Sequence, residues 1–308
     1  MTTRTLFLGT PAFAVPSLDA LASLDGVVLV GVVTQPDRAG HRGRVTAPPV
    51  KERALALGLP VLQPGRLDAA ALREIESLRP ALLVWAAYGN FIPRALLDAV
   101  GDRAVNVHAS LLPRWRGAAP VAQAILAGDV ETGVTLMQGT AKLDAGPILA
   151  QERVAIGNET TGELTARLAM DGASILAREL PRYIAGKLVG RAQDERAVTW
   201  APKLDPREGA LDFQRPAEEL ARRLRAFSPD PGAFTTFRGR RVLLTRVSVT
   251  GGSPAEHGTL HLSDGVPHVA AGAGWLRLDE VRPAGKRTMS GAEWARGHRN
   301  VEESRIPS

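Results

Sequence analysis

Along the first half of the chain, apolar and polar positions alternate between two rhythms. Short runs with few polar residues, "RTLFLG", "GVVLVGVVT", "LPVLQ", "ALLVWAAYG" and "RAVNVHA", read as strands. Between them, in "VPSLDALASL", "VKERALALG", "DAAALREIESL" and "IPRALLDA", apolar residues return every three or four positions, as on a helix with one buried face. Continuously apolar strands separated by helices predict an α/β fold with a doubly wound, mostly parallel sheet covered on both sides. Such sheets bind ligands at the carboxyl ends of their strands.

The texture changes after "TGELTARLAMDGASILARELPRYIAGK", a long amphipathic helical pattern. The following stretch is polar and punctuated by Pro202 and Pro206, which reads as a linker. One further helix, "PAEELARRLRAF", precedes the short strands "GAFTTF", "RRVLLTRVSV", "GTLHLS", "VPHVAA" and "WLRLDEV". Short strands at close spacing with Gly, Asp and Pro turns predict a small β-barrel. The expected organisation is a domain over residues 1–189, a linker over 190–207 and a barrel over 208–308, in keeping with a chain of 308 residues.

Composition narrows the chemistry. The chain has no cysteine, which excludes thiolate nucleophiles, disulfides and Cys-based zinc sites. The net charge of +6 is carried almost wholly by Arg, whose planar fork suits phosphate, so an anionic partner is admissible. The phosphate fingerprints G-x-G-x-x-G and G-x-x-x-x-G-K-[ST] do not occur in "GTPAFA" after the first strand, which weighs against a dinucleotide or ATP site of the usual kind. The opening "MTTRTLFLGTPAFAVP" has the outline of a signal peptide, but Gly9, Thr10 and Pro11 break its apolar run, and a buried first strand is the better reading. With no apolar run of about 18 residues, the chain is expected to be soluble and cytoplasmic.

The candidate chemistry sits in "RAVNVHAS". A strand period of two puts Ala104, Asn106 and His108 on one face and Val105 and Val107 on the other. Burying polar groups unsatisfied is costly, so the pair is either a hydrogen-bonded structural element or a set of donors for a ligand. An Asn amide donates, and a His donates or exchanges a proton near neutral pH. Two donors on one carbonyl oxygen make an oxyanion site for acyl transfer, each worth roughly 10²–10³ in rate. No nucleophile accompanies them, since Ser110 stands in no G-x-S-x-G elbow, and direct attack by a substrate amine fits best. Asp144, in "KLDAGPIL", is open to two readings. It is a turn residue, or it is a carboxylate that orients His108 and accepts a proton through a water. His257, His261 and His268 carry no ligand spacing, and no metal is expected.

The string "NVHASLLPRWRGAAP" resembles the signature of the methionyl-tRNA formyltransferase family, one of the folate-dependent formyltransferases. The resemblance runs along nearly the whole chain through "FLGTPAFA", "TQPDRAGHRGR", "AYGNFIP", "GDVETGVTLM", "LDAGPILAQ", "WAPKL", "RAFSPDPGAFT" and "PAGKRTMSGAEWARGHR". It implies a formyltransferase-like sheet domain, an OB-like C-terminal barrel, and formyl transfer from 10-formyltetrahydrofolate to the α-amino group of methionyl initiator tRNA. Asn106, His108 and Asp144 match the family's catalytic trio, and Ser110, Leu111, Leu112 and Pro113 match the stretch lining its folate site. Arg42 matches a basic residue of the loop that enters the tRNA acceptor stem, and Arg38 and Arg44 share that loop. A monomer is implied.

The chain departs from the pattern in places. Lys142 stands where the family usually has Gly, Gly139 and Thr140 stand in place of an acidic residue of the preceding turn, and Asp230 stands where a Trp is common. Within "RWRG", Arg114 and Arg116 either hold the loop through carboxylates or reach an anionic substrate, with Trp115 as an anchor. Two rival readings share part of the motif set: a formyltransferase acting on an amino sugar nucleotide, and a folate hydrolase. A third, from another class, is a catalytically silent RNA-binding protein.

Overall fold

The computed structural model describes residues 2–39, 45–101 and 103–306. Its first elements are β1 (Thr3–Gly9), α1 (Val15–Ala22), β2 (Val27–Val33), β3 (Arg38–Ala39), β4 (Val45–Thr46), α2 (Pro49–Ala56), β5 (Val61–Leu62), α3 (Ala69–Ser77), β6 (Leu82–Ala86), α4 (Arg94–Ala99) and β7 (Ala104–His108). Then follow β8 (Arg116–Gly117), α5 (Pro120–Ala127), β9 (Glu131–Gln138), β10 (Ile148–Ala155) and α6 (Thr161–Ile184). Seven strands form one sheet in the order β10-β9-β7-β6-β1-β2-β5. The five strands from β5 to β7 in that order run parallel, while β9 is antiparallel to β7 and β10 to β9. The apolar runs of the sequence supply the parallel part: Leu6, Phe7 and Leu8 of β1 are fully buried. The antiparallel edge comes from mixed segments such as "ILAQERVA", where one face of the strand stays partly exposed and the period is weak.

Strand order reverses at β1, with β2 and β5 on one side and β6 and β7 on the other, the arrangement that opens a crevice at the strands' carboxyl ends. Polar bonds lace those ends together. Thr10 Oγ1 donates to the Tyr88 carbonyl at 2.8 Å and accepts from the Gln35 amide at 3.3 Å. Helix packing then sets the depth of β7. Ala104 joins Trp85, Leu96 and Leu97 in one core cluster. On the opposite face α6 brings Gly172 so close that a Cβ there would lie 2.7 Å from Val107 Cγ1. Val107 separates Asn106 from His108, so this contact fixes the strand that carries them.

The chain divides into two compact units, residues 1–120, 131–155 and 164–202 in the first and 121–130, 156–163 and 203–308 in the second. Two short segments that linear reading keeps in the first domain thus group with the C-terminal half. Local bonds give the reason: Thr161 Oγ1 donates to the Ala226 carbonyl at 2.7 Å, and Arg225 donates to the Gly157 carbonyl at 2.8 Å. The stretch read as a linker is equally structured up to Pro202. Within the first unit, β11 (Trp200–Ala201) pairs in parallel with β8, and Ile148 and Arg191 form an antiparallel bridge.

The second unit holds α7 (Ala217–Phe227), β12 (Ala233–Phe237), β13 (Arg240–Thr250), β14 (Leu260–Ser263), β15 (Val266–Ala270), β16 (Trp275–Pro283), β17 (Met289–Ser290) and α8 (Gly291–Arg296). The strands form an antiparallel, barrel-like sheet in the order β12-β13-β16-β15-β14, with β17 added on β16. Leu220, Leu224 and Phe227 recur at helical spacing on the buried side of α7, as its sequence pattern requires. Among the described residues no helix is long and apolar enough to cross a membrane.

Overpacking the α6–β7 contact should be costly. Gly172→Leu is expected to destabilise the protein by about 1–3 kcal/mol, read as a lower denaturation midpoint. An unchanged midpoint would mean that α6 does not set the depth of β7.

Candidate active site

The carboxyl end of β7 carries two buried polar side chains, Asn106 at 4% exposure and His108 at 7%. Strand alternation places both on one face. The Asn106 amide makes no side-chain hydrogen bond among the described residues, although Arg114 and Trp115 close by in sequence are engaged. Its amide hydrogens are available to an acceptor that enters from the carboxyl end of the strand.

His108 is held differently. Its Nε2 lies 3.0 Å from the Trp115 carbonyl oxygen. A carbonyl only accepts, so Nε2 carries the hydrogen. Nδ1 then faces the Asp144 carboxylate, with Oδ1 at 3.7 Å. That separation is longer than a hydrogen bond. Once Nδ1 takes up a proton, the same arrangement becomes an ion pair. The sequence reading has His108 donate to a substrate oxygen; with Nε2 engaged by the Trp115 carbonyl, Nδ1 is the nitrogen open to that role.

The loop from Ser110 to Gly117 is built to deliver that carbonyl. Ser110 is fully buried, and its hydroxyl donates to the Arg114 carbonyl at 2.7 Å. Thr135 of β9 donates to the Ser110 carbonyl at 2.6 Å and accepts from the Leu112 amide at 3.1 Å, while Gln151 of β10 donates to both Thr135 Oγ1 and the Leu112 carbonyl at 2.9 Å. Trp115 adopts φ +66°, an unfavourable value for a bulky residue. Its amide donates to Thr199 Oγ1 at 2.9 Å, and the Arg114 guanidinium stacks 4.2 Å from its ring. Arg116 is 3% exposed and makes four hydrogen bonds: it donates to Glu195 at 2.9 and 3.2 Å and to Gln193 Oε1 at 2.8 and 3.1 Å. Its guanidinium holds the Glu195 carboxyl below the usual carboxylate range. Arg116 is thus a structural clamp, and of the two roles the sequence leaves open it takes the first.

Asp144 reaches His108 from a tight turn after β9. Gly139 lies against Trp85, whose ring occupies the space a Cβ would need, and its amide donates to the Ala104 carbonyl at 2.8 Å. Thr140 Oγ1 donates to the Lys142 carbonyl at 3.1 Å. These bonds close the turn in which Lys142, Gly139 and Thr140 depart from the family pattern. Asp144 itself has φ +46°, a conformation Asp tolerates better than most residues. Its Oδ2 accepts from the Gly117 amide at 2.9 Å, which leaves Oδ1 toward His108. Gln193 Nε2 donates to the carbonyls of Asp144 and Gly146 at 2.9 and 2.8 Å.

Of the stretch expected to line a folate site, Ser110 and Leu112 point into the protein, Leu112 against Met137 and Ile148. Leu111 and Pro113 keep partial exposure. Of the three arginines expected to meet tRNA, Arg38 is exposed on β3, and Arg42 and Arg44 lie outside the described residues. In the second unit Arg238 is engaged by the carbonyls of Arg299 and Asn300, and Arg241 stacks 3.6 Å from the Phe234 ring. Among the described residues no group of three His, Cys, Asp or Glu side chains is placed to hold a metal. Pattern reading missed Thr135, Gln151, Gln193, Glu195 and Thr199. The last three lie in the polar stretch read as a linker, where only the neighbouring "WAPKL" string gave a signal.

Comparison with known proteins agrees with this architecture. Residues 3–180 match the formyl transferase family, and residues 203–299 match its C-terminal domain. A methionyl-tRNA formyltransferase of Myxococcus xanthus is 47% identical over 301 residues, spanning 96% of this chain and 95% of that protein. The solved N-formyltransferase of Helicobacter canadensis, in complex with folinic acid and dTDP-3-aminofucose, aligns with a TM-score of 0.69 at 16% identity, over 90% of this chain and 99% of that one. HypX from Aquifex aeolicus, in complex with tetrahydrofolic acid, aligns with a TM-score of 0.64 at 18% identity, over 96% of this chain and 47% of that one. At such identities the two structures speak for the fold alone. The family matches in both halves and the relative aligned along nearly its full length establish that the chain belongs to the formyl transferase family, and within it with the methionyl-tRNA formyltransferases.

Proposed function

We propose that the protein transfers the formyl group of 10-formyltetrahydrofolate to the α-amino group of methionyl initiator tRNA, giving the N-formylmethionyl-tRNA of translation initiation. The acceptor is supported by the 47% identical relative. The chemistry is supported by one observation above all: a carboxylate 3.7 Å from the ring nitrogen of a buried histidine that the Trp115 carbonyl does not engage, with a buried Asn amide on the same strand face. In this reading the N-terminal domain, residues 1–189, binds the folate and carries the reaction. The stretch 190–207 joins it to a C-terminal domain, 208–308, that contributes to tRNA binding. The enzyme acts as a monomer in the cytoplasm and uses no metal.

The reaction follows from the placement of donors. An α-amino group with a pKa near 7.7–8.0 has a usable neutral fraction at cellular pH and attacks the formyl carbon directly. As the new carbon–nitrogen bond forms, the formyl oxygen gains negative charge. Asn106 donates its amide hydrogens to that oxygen, and His108, protonated at Nδ1, donates beside it while Asp144 balances the imidazolium. The bond from carbon to folate N10 then breaks. The proton lost by the amine passes through a water to Asp144, and N10 receives one from the same network. Leu111 and Pro113 line the folate subsite with their exposed surface, and Ser110 and Leu112 shape its backbone. Arg38, Arg42 and Arg44 track phosphates of the tRNA acceptor stem.

Asn106→Ala and His108→Ala should each lower kcat by roughly 10²–10³ while leaving substrate binding nearly unchanged. Steady-state kinetics with initiator methionyl-tRNA, with an elongator methionyl-tRNA and an amino sugar nucleotide as competing acceptors, checks both chemistry and substrate. A loss confined to KM would refute the assigned roles, and faster transfer to the sugar would refute the acceptor.

Affinity for tRNA should fall steeply with salt. Replacing Arg38, Arg42 and Arg44 together by Ala should flatten the slope of log affinity against log salt by about one per arginine. Filter binding over a salt series measures it, and an unaltered slope would remove these residues from the interface.

A further inference from the structure

We infer that Gln193 is a positioning residue of the transfer site, coupling the buried Arg116 to the turn that aims Asp144; the inference rests on Asp144 acting as proposed above. The side chain of Gln193 bonds in both directions. Its Nε2 donates to the carbonyls of Asp144 and Gly146 at 2.9 and 2.8 Å. Its Oε1 accepts from Arg116 Nε and Nη2 at 3.1 and 2.8 Å. A guanidinium only donates and carbonyls only accept, so the orientation of the amide is unambiguous.

Asp144 is therefore gripped twice by one short strand. The Gly117 amide of β8 holds the carboxylate through Oδ2 at 2.9 Å, and Arg116, the other residue of β8, holds the backbone of the turn through Gln193. The grip has something to resist, since Asp144 sits at φ +46°, and relaxation of that angle would swing Oδ1 away from His108. The strand itself has little freedom. A Cβ on Gly117, at φ +125°, would lie 2.6 Å from the Ala201 carbonyl oxygen of β11.

Gln193 is separable from the fold. Arg116 keeps two bonds to Glu195 when Gln193 is removed, so the buried charge is not left bare. The turn, in contrast, loses both ties to its carbonyls. The consequence should fall on the aim of Asp144, where a displacement of about 1 Å is enough to cost up to 10²-fold in rate.

The test uses the full-length protein in four forms: Gln193→Met, Gln193→Glu, Asp144→Asn, and Asp144→Asn combined with Gln193→Met. Gln193→Glu keeps an acceptor for Arg116 and removes both donors to the turn. Steady-state kinetics should show kcat lowered roughly 10- to 100-fold in both Gln193 variants, with KM for folate and tRNA within about threefold. In the Asp144→Asn background, Gln193→Met should cost less than about threefold more. Wild-type kcat in Gln193→Glu, or a full additive loss in the double variant, would overturn the coupling. Asp144→Asn with undiminished kcat would instead overturn the role of Asp144 on which the inference rests. Where Gln193→Met fails to fold, as judged by circular dichroism, Gln193→Glu carries the same decision.

Discussion

The bond from His108 Nε2 to the Trp115 carbonyl, 3.0 Å long, is the constraint on which the rest of the site depends. It decides which ring nitrogen carries hydrogen and therefore which one is open to Asp144 and to substrate. Placing a carbonyl there requires Trp115 to adopt a left-handed conformation that costs on the order of 1–3 kcal/mol. That cost is offset by bonds on every side: Thr199 takes the Trp115 amide, Ser110 closes the turn before it, and Glu195 holds Arg116, the residue after it. The loop between prolines that carries Arg-Trp-Arg is thus a device for setting the tautomer of one histidine.

The same loop governs the carboxylate. Asp144 approaches through a turn after β9 that is held by Gly117 and Gln193, both bonded to or part of the short strand β8. Imidazole and carboxylate are consequently referenced to one piece of backbone. Asn106 stands apart from this network on the rigid strand β7, whose depth is fixed by Gly172 on one face and the Trp85 cluster on the other. A rigid donor and a pair tuned by hydrogen bonds suit a reaction in which charge develops on a single oxygen.

Much of this was legible in the order of residues. The parallel sheet was readable because strands buried on both faces leave unbroken apolar runs, as in "FLG" and "LLVWA". The face shared by Asn106 and His108 followed from a strand period of two. The antiparallel edge, β9 and β10, was not readable, since a half-exposed edge carries a mixed pattern and Gly133 interrupts it. The bonds that the polar stretch around Gln193 and Glu195 makes were not readable, because its partners are far away in the chain. The bond from Arg116 to Gln193 spans 77 positions and leaves no local periodicity.

By itself the sequence determined the alternating architecture, the absence of thiol chemistry, and a donor pair at the end of a core strand. Each of these depends on residue type and short-range spacing alone. Tertiary structure decided the tautomer of His108, the aim of Asp144, the bonding of Gln193 to Arg116, and the grouping of residues 121–130 and 156–163 with the C-terminal half. Those outcomes depend on which carbonyl or carboxylate meets a given side chain across the fold. Such pairing is set when distant segments pack, and no window of neighbouring residues encodes it.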